Sequence, residues 1–284
     1  MKRVLIAGAT GYLGGYVTKE FKRRGNWVRV IARNTKKLEK VQNFYDEKYI
    51  GEVTNPDFIK EACRDIDIVF SSIGITRQRD NLTYWDVDYQ GNRNLLDAAL
   101  TNGVSKFIYV SVLNAEKMEH LKIIEAKQAF ARDLQQSGIK HTVIYPNGFF
   151  SDMMELFEMA KRGRGYFFGK GNFKGNPIHG EDLAEVCVDA AESGESEIAV
   201  GGPDVMTHRE MYALACQVLG KDIKTINIPL WIRDLILILA RTFTSSKTYG
   251  PLEFFMTVMS MDMIAEPKGK HHLKDFFIEC SNNR

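Results

Sequence analysis

A run of four apolar residues, Val4-Leu5-Ile6-Ala7, leads straight into Gly8-Ala9-Thr10-Gly11-Tyr12-Leu13-Gly14 at the start of a 284-residue chain. A buried strand that ends in glycines and opens a helix leaves few folds available. Gly8 permits the tight turn, Gly11 lets backbone approach a pyrophosphate, and Gly14 allows a helix to pack closely on a sheet. The free N–H groups at the start of that helix favour phosphate. Thr10, Tyr12 and Leu13 complete the loop and first turn, so residues 8 to 14 are expected to bind a dinucleotide.

The rest of the first half repeats the pattern. Apolar runs at 2–7, 27–33, 48–53, 67–74, 106–113 and 140–146 read as strands. The segments after the glycine loop, at 56–63, at 87–104 and at 122–138 read as helices between them. Strand and helix in alternation imply βαβ units and a parallel sheet. Beyond residue 150 the regularity loosens, with helices expected over 179–193, 207–220 and 229–243. The expectation is an α/β chain: a doubly wound Rossmann sheet over 1–150, with a smaller C-terminal lobe over 151–284 packed on it.

Composition excludes several classes. With 38 basic and 36 acidic residues the net charge is +2, which gives no general attraction to nucleic acid. Cys63, Cys187, Cys216 and Cys280 form no Cys-x-x-Cys pair, so no metal site or disulfide framework is expected and a cytoplasmic setting fits. The basic, apolar start has the look of a secretory leader, but its glycines have the better explanation given above. No window approaches the ~18 apolar residues of a spanning helix. The helix at 229–243 is read as core, with an interfacial membrane contact as the alternative. Met256, Met259, Met261 and Met263 are likewise read as core, with an adaptable apolar pocket as the alternative.

The spacing Gly-x-x-Gly-x-x-Gly, with "DVDYQGNRNLLDAA", "KFIYVSV" and "YPNGFF", resembles the short-chain dehydrogenase/reductase superfamily in its atypical branch. Isoflavone-reductase-like enzymes and NmrA-like regulators belong to that branch. The resemblance implies an NAD(P)(H) cofactor. It places Ser72, Ile73 and Gly74 beneath the nicotinamide-side ribose, and Tyr145, Pro146 and Asn147 along the nicotinamide. Phe149 and Phe150 would wall an apolar substrate pocket or fill the core beneath it. An acidic residue at the end of the second strand would bind a ribose 2′-hydroxyl; here Arg33 stands there, followed by Lys36 and Lys37. A guanidinium grips a 2′-phosphate, so NADP(H) is expected over NAD(H).

Typical members of the superfamily use a serine, a tyrosine, and a lysine four residues after the tyrosine. Ser111 and Lys127 match, but Ile123 replaces the tyrosine, and isoleucine has no proton to give. Three routes stay open. Lys127 could act as acid and base with a pKa lowered toward neutrality. Another donor could enter, with Tyr145, His179, His120 and Tyr89 as candidates. Or the pocket could only hold a dinucleotide. The expectation is an atypical NADPH-dependent oxidoreductase, with Lys127 and Ser111 as catalytic candidates, acting on an apolar conjugated or quinone-like substrate. The alternative is a non-catalytic cofactor-sensing regulator or complex-assembly factor. Either would be a monomer or homodimer.

Overall fold

The computed structural model describes residues 1–76, 78 and 81–282; the last two residues of the expected C-terminal lobe lie outside that set. In the first half β1 (Arg3–Ala7), α1 (Tyr12–Arg23), β2 (Trp27–Ala32), β3 (Glu47–Ile50), α2 (Pro56–Ala62) and β4 (Ile68–Ser71) follow one another. Then come α3 (Asn92–Thr101), β5 (Lys106–Val110), α4 (Lys122–Gln136) and β6 (Lys140–Pro146). After them run α5 (Met154–Lys161), β7 (Gly165–Phe168), β8 (Lys174–Gly175), α6 (Gly180–Asp189), β9 (Glu197–Val200) and β10 (Met206–Thr207). The chain ends in α7 (His208–Val218), β11 (Thr225–Ile228), α8 (Leu230–Phe243), α9 (Ser246–Val258) and α10 (Leu273–Asn282).

A seven-stranded sheet in the order β3-β2-β1-β4-β5-β6-β9 has helices packed on it, the doubly wound arrangement expected. The pairings from β3 through β6 are parallel. β1 is buried from Val4 to Ala7, which explains its unbroken apolar sequence.

The chain divides into two compact units. One comprises Met1–Tyr145 and Leu183–Ile198; the other comprises Pro146–Asp182 and the chain from Ala199 on. This differs from a single break after residue 150. The cause is β9, which adds a seventh strand beside β6: the Val143 N–H donates to the Ser196 carbonyl at 2.8 Å. Residues 183–198 therefore belong with the sheet although they follow the first lobe segment in sequence. The first unit's core gathers Leu5, Leu95, Phe107, Tyr109 and Phe130 between strands and helices. The second unit has its own core around Phe150, Phe157, Tyr212 and Phe277. Phe150 is thus core filling, while Phe149 is half buried.

Two sequence expectations need correction. The helix expected from residue 87 begins as a wide π turn over Trp85–Gly91 and becomes α-helical only at Asn92. Such an insertion shifts one side chain out of helical register, and it marks the segment carrying Asp88. The second is α8, read as core. None of its fourteen residues is buried, and Trp231, Ile238 and Phe243 are 64%, 62% and 79% exposed. Met256 and Met263 do lie in the core, as expected, while Met259 and Met261 are half buried.

The junction of β1 and α1 sets the tightest packing requirement. A Cβ on Gly14 would stand 2.1 Å from the Gly8 carbonyl oxygen, whereas one on Gly15 would meet nothing closer than 3.8 Å. Gly14→Ala should cost about 2–3 kcal/mol of overpacking and lower the melting midpoint by about 5–10 °C. Gly15→Ala should hold or raise it, since alanine removes backbone freedom from the unfolded chain. Thermal unfolding of the two variants checks this.

Candidate functional site

Four consecutive strand ends build the site. Gly8 follows β1, Arg33 follows β2, Gly51 follows β3 and Ser72 follows β4, and all four line one cleft at the carboxyl edge of the sheet. Open parallel sheets hold ligands at that edge. Gly8 has φ +102°, a left-handed conformation glycine adopts without strain, and its carbonyl accepts from the Gly11 N–H at 2.9 Å. Ser72 lies so close over Gly8 that a Cβ there would stand 2.6 Å from the Ser72 Oγ.

The helix that follows is left open at its start. Gly11 is its N-cap, no side chain caps it, and its first turn carries no acidic residue. The orphan N–H groups and positive dipole end of α1 therefore face the cleft beside exposed Thr10 and Gly11. A dinucleotide pyrophosphate fits this cradle: backbone donors are present, no side chain caps them, and the first turn of α1 carries no carboxylate. Leu13 and Gly14 serve the site from behind, buried in the α1 packing. Tyr12 lies edge-on to Tyr16, ring centres 5.4 Å apart.

Arg33 is exposed at the cleft wall, with Ile31 and Ala32 beside it. The sequence reading missed the opposite wall. Glu52, Val53 and Thr54 line the cleft after β3, and Leu82 and Val87 close it near the π turn. Their only sequence signal is position: they follow a strand that ends at the same edge.

At the other end of the site Gly74, Asp88 and Lys127 meet. Lys127 Nζ lies 2.9 Å from Asp88 Oδ1, with side-chain exposures of 12% and 0%. A Cβ on Gly74 would stand 2.6 Å from both atoms, so only glycine lets the chain pass over the pair. The Ile75 N–H donates to the second Asp88 oxygen at 3.1 Å. Burial lifts Asp88 above the usual carboxylate range, against the pull of Lys127 and that N–H. Burial alone would lower Lys127, but the Asp88 carboxylate outweighs it and holds the ammonium above its ordinary value. This is the opposite direction from the shift that acid–base use of Lys127 requires. Asp88 was not among the sequence candidates. Its signal was a carboxylate on the inner stripe of a helix, four residues before Asn92 and seven before Leu95, all buried.

Asn92 ties these parts together. The Ser71 hydroxyl donates to its Oδ1, and its Nδ2 donates to the Asp88 carbonyl at 2.8 Å. Ile73 donates its N–H to Ser71 Oγ at 3.3 Å. The Ser72-Ile73-Gly74 stretch is thus held from below by buried side chains.

The remaining candidates have commitments elsewhere. Ile123 is only 5% exposed, one helical turn before Lys127, so that position is core. Ser111 is buried, with its hydroxyl 3.4 Å from Gln128 Oε1. The Tyr89 hydroxyl donates to Asp133 at 2.9 Å and the Tyr145 hydroxyl to Glu197 at 3.2 Å. His120 is exposed, and His179 belongs to the second unit. So do Pro146 and Asn147; the Asn147 amide is spent on Asn176, Met263 and the Gly148 N–H, bracing that unit's loop. Tyr109 is different. Its hydroxyl is fully buried with no hydrogen-bond partner among the described residues, burial pushes its pKa up to about 12, and Lys127 and Asp88 lie within electrostatic reach. It has no exposure to a substrate.

Known proteins resemble this chain in sequence and in fold. A family model described as NAD(P)H-binding matches residues 8–193. The chain is 27% identical to divinyl chlorophyllide a 8-vinyl-reductase of Cucumis sativus, covering 96% of this chain and 75% of that protein. It is 26% identical to photosystem II assembly factor Ycf39 of Trieres chinensis, covering 82% and 74%. Among solved structures, the NADPH-dependent quinone oxidoreductase QOR2 of Escherichia coli superposes with a TM-score of 0.72 at 17% identity, over 98% of this chain and 100% of that one. An isoflavone reductase superposes with a TM-score of 0.70 at 17% identity, over 92% and 87%. The chain belongs to the NAD(P)H-binding family and has the Rossmann fold of these neighbours.

Proposed function

We propose that the protein is an NADPH-dependent reductase that passes hydride to an apolar, conjugated acceptor of the quinone or enone class. The observation that carries this reading is the buried Asp88–Lys127 pair under Gly74, combined with Ile123 where a proton-donating tyrosine would stand. Hydride addition to a simple ketone creates a localised alkoxide, which needs an acid at hand. Addition to a conjugated acceptor creates a delocalised anion that water can protonate. A site with no positioned acid among the described residues therefore suits the second chemistry.

Bound nicotinamide would supply the hydride. The protein's part is positional: the α1 N-terminus holds phosphate, and Lys127, kept charged by Asp88, donates to ribose hydroxyls. Gly74 lets that ribose approach closely, and the core behind Ile123 excludes water from one side. Ser111 orients what lies at the end of β5. Arg33 at the cleft wall supports NADP(H) over NAD(H) through a charge-assisted bond to a 2′-phosphate. The relatives that reduce a vinyl group or a quinone support the same chemical class.

One observation favours a second reading, a role in complex assembly at a membrane surface. The outward stripe of α8 carries Trp231, Leu235, Ile238 and Leu239, with Phe243 at its end and Arg241 and Lys247 near its C-terminus. Aliphatic residues between aromatic ends, with cations nearby, make an interfacial helix. Among the described residues no helix is long and apolar enough to cross a membrane. On this reading Trp231 fluorescence shifts to the blue with anionic vesicles, and Ile238→Asp with Leu239→Asp abolishes the shift.

Three measurements test the reductase. Fluorescence titration should show NADPH binding more tightly than NADH, with Arg33→Ala weakening NADPH by about 10- to 100-fold and NADH by less than about twofold. Equal losses for both nucleotides would remove Arg33 from the 2′-phosphate. Asp88→Asn should cost about 3 kcal/mol of stability, because it leaves a buried ammonium without its counter-charge. Turnover with quinones and enones should show no lysine ionisation from neutrality up to the ordinary lysine value of 10.5, since Asp88 raises Lys127 above it. A limb near neutrality that disappears in Lys127→Met would restore Lys127 as the acid.

A further inference from the structure

A cluster in the second unit is absent from the lining of the cleft. His179 and Glu181 flank the start of α6, and His271 comes from the loop before α10. One donor atom from each of the three lies within 4.8 Å of the others. His271 Nε2 stands 3.6 Å from Glu181 Oε2. Two ligand atoms about 2.1 Å from a shared tetrahedral zinc lie about 3.4 Å apart, so this pair already has nearly that separation.

What separates the cluster from an ordinary group of surface charges is the residue behind it. Asp182 is only 2% exposed, yet its carboxylate is fully engaged. It takes the His271 ring Nδ1 at 2.7 Å and the backbone N–H groups of Lys270 and His271 at 3.1 and 3.0 Å. Neighbouring Gly269, at φ +96°, would place a Cβ 2.2 Å from the same carboxylate, so the loop is shaped around it. A proton held on Nδ1 by a buried carboxylate leaves Nε2 with its lone pair directed toward Glu181. That is how metal-ligating histidines are oriented and made more basic. His179 is fixed as well, its ring 4.3 Å from that of His271 and 5.5 Å from Phe150.

We infer that His179, Glu181 and His271 form a binding site for a divalent transition cation of the zinc class, oriented by Asp182. Two imidazoles and one carboxylate suit Zn²⁺ or Co²⁺ and not Mg²⁺, which prefers oxygen ligands and retains water. The three ligands leave one tetrahedral position open, which water or an anion fills. In the cation-free arrangement His179 Nδ1 accepts the Glu181 N–H at 3.3 Å. Ligation through Nε2 moves the ring proton to Nδ1 and gives up that long bond. The bound ion then links the start of α6 to the loop before α10, a staple absent from the unfolded chain.

The test uses the full chain, stripped with a chelator and titrated calorimetrically with ZnCl₂, CoCl₂ and MgCl₂. One equivalent of Zn²⁺ should bind, with a rise in melting temperature, and Co²⁺ should develop a visible band typical of four-coordination. Mg²⁺ should do neither at the same concentration. His271→Gln and Glu181→Gln should each weaken Zn²⁺ by more than tenfold, and Asp182→Asn by about 10- to 100-fold. NADPH affinity, read in parallel, should be unchanged and shows that each variant is folded. Should His271→Gln or Asp182→Asn fail to fold, the exposed Glu181→Gln decides alone. No saturable Zn²⁺ binding by the wild type, or equal binding by Glu181→Gln, overturns the site and leaves a hydrogen-bonded loop clasp in its place.

Discussion

The approach of α1 to β1 governs much of this structure. A helix backbone lies so near the Gly8 carbonyl that position 14 has no room for a methyl group. That contact puts the uncapped helix start directly over the end of β1, where its N–H groups gather at one point. The close approach also brings Ser72 over Gly8, because β4 pairs with β1 in register and ends at Ser71 opposite Ala7. Cofactor geometry and core packing are therefore one requirement. Changing a glycine here alters both.

A second constraint lies at the far end of the same strand edge. Asp88 and Lys127 come from the π turn and α4, and they meet under a glycine because no larger residue fits above them. Burying two charges is expensive, and what offsets the cost here is their attraction at 2.9 Å. The cost makes sense if a permanently charged ammonium is wanted at a defined place. It makes less sense for a lysine that must give and take protons near neutral pH. The balance at this pair speaks for a fixed positive charge and against side-chain acid catalysis by Lys127.

Much of this was legible in the sequence, for identifiable reasons. The glycine loop, Arg33 and the Ser72-Ile73-Gly74 turn were readable because each sits immediately after a buried strand, and strand ends fall at one sheet edge. Asp88 was not, because its place on the inner stripe of a helix gives no sign that Lys127, far along the chain in α4, pairs with it. The wall formed by Glu52, Val53 and Thr54 was invisible because contact across β2 and β3 has no signature in spacing. Residues 183–198 group with the sheet because β9 returns to it over a long separation in sequence, which spacing does not reveal. For α8 the apolar content was read correctly and the burial wrongly. Hydrophobic residues specify a need for cover, not where the cover comes from.

Both readings of function share one pocket and differ in whether hydride leaves it. The direct test is transfer of label. NADPH carrying deuterium at the transferable position of the nicotinamide is incubated with the protein and a panel of quinones and enones, and products are weighed by mass spectrometry. A reductase gives a reduced enone one mass unit heavier at a single carbon, and with a quinone, whose quinol exchanges the label into water, it gives loss of label from the nucleotide. Tight binding of the nucleotide with its label retained, whichever acceptor is offered, would contradict the account and leave a cofactor-holding assembly protein.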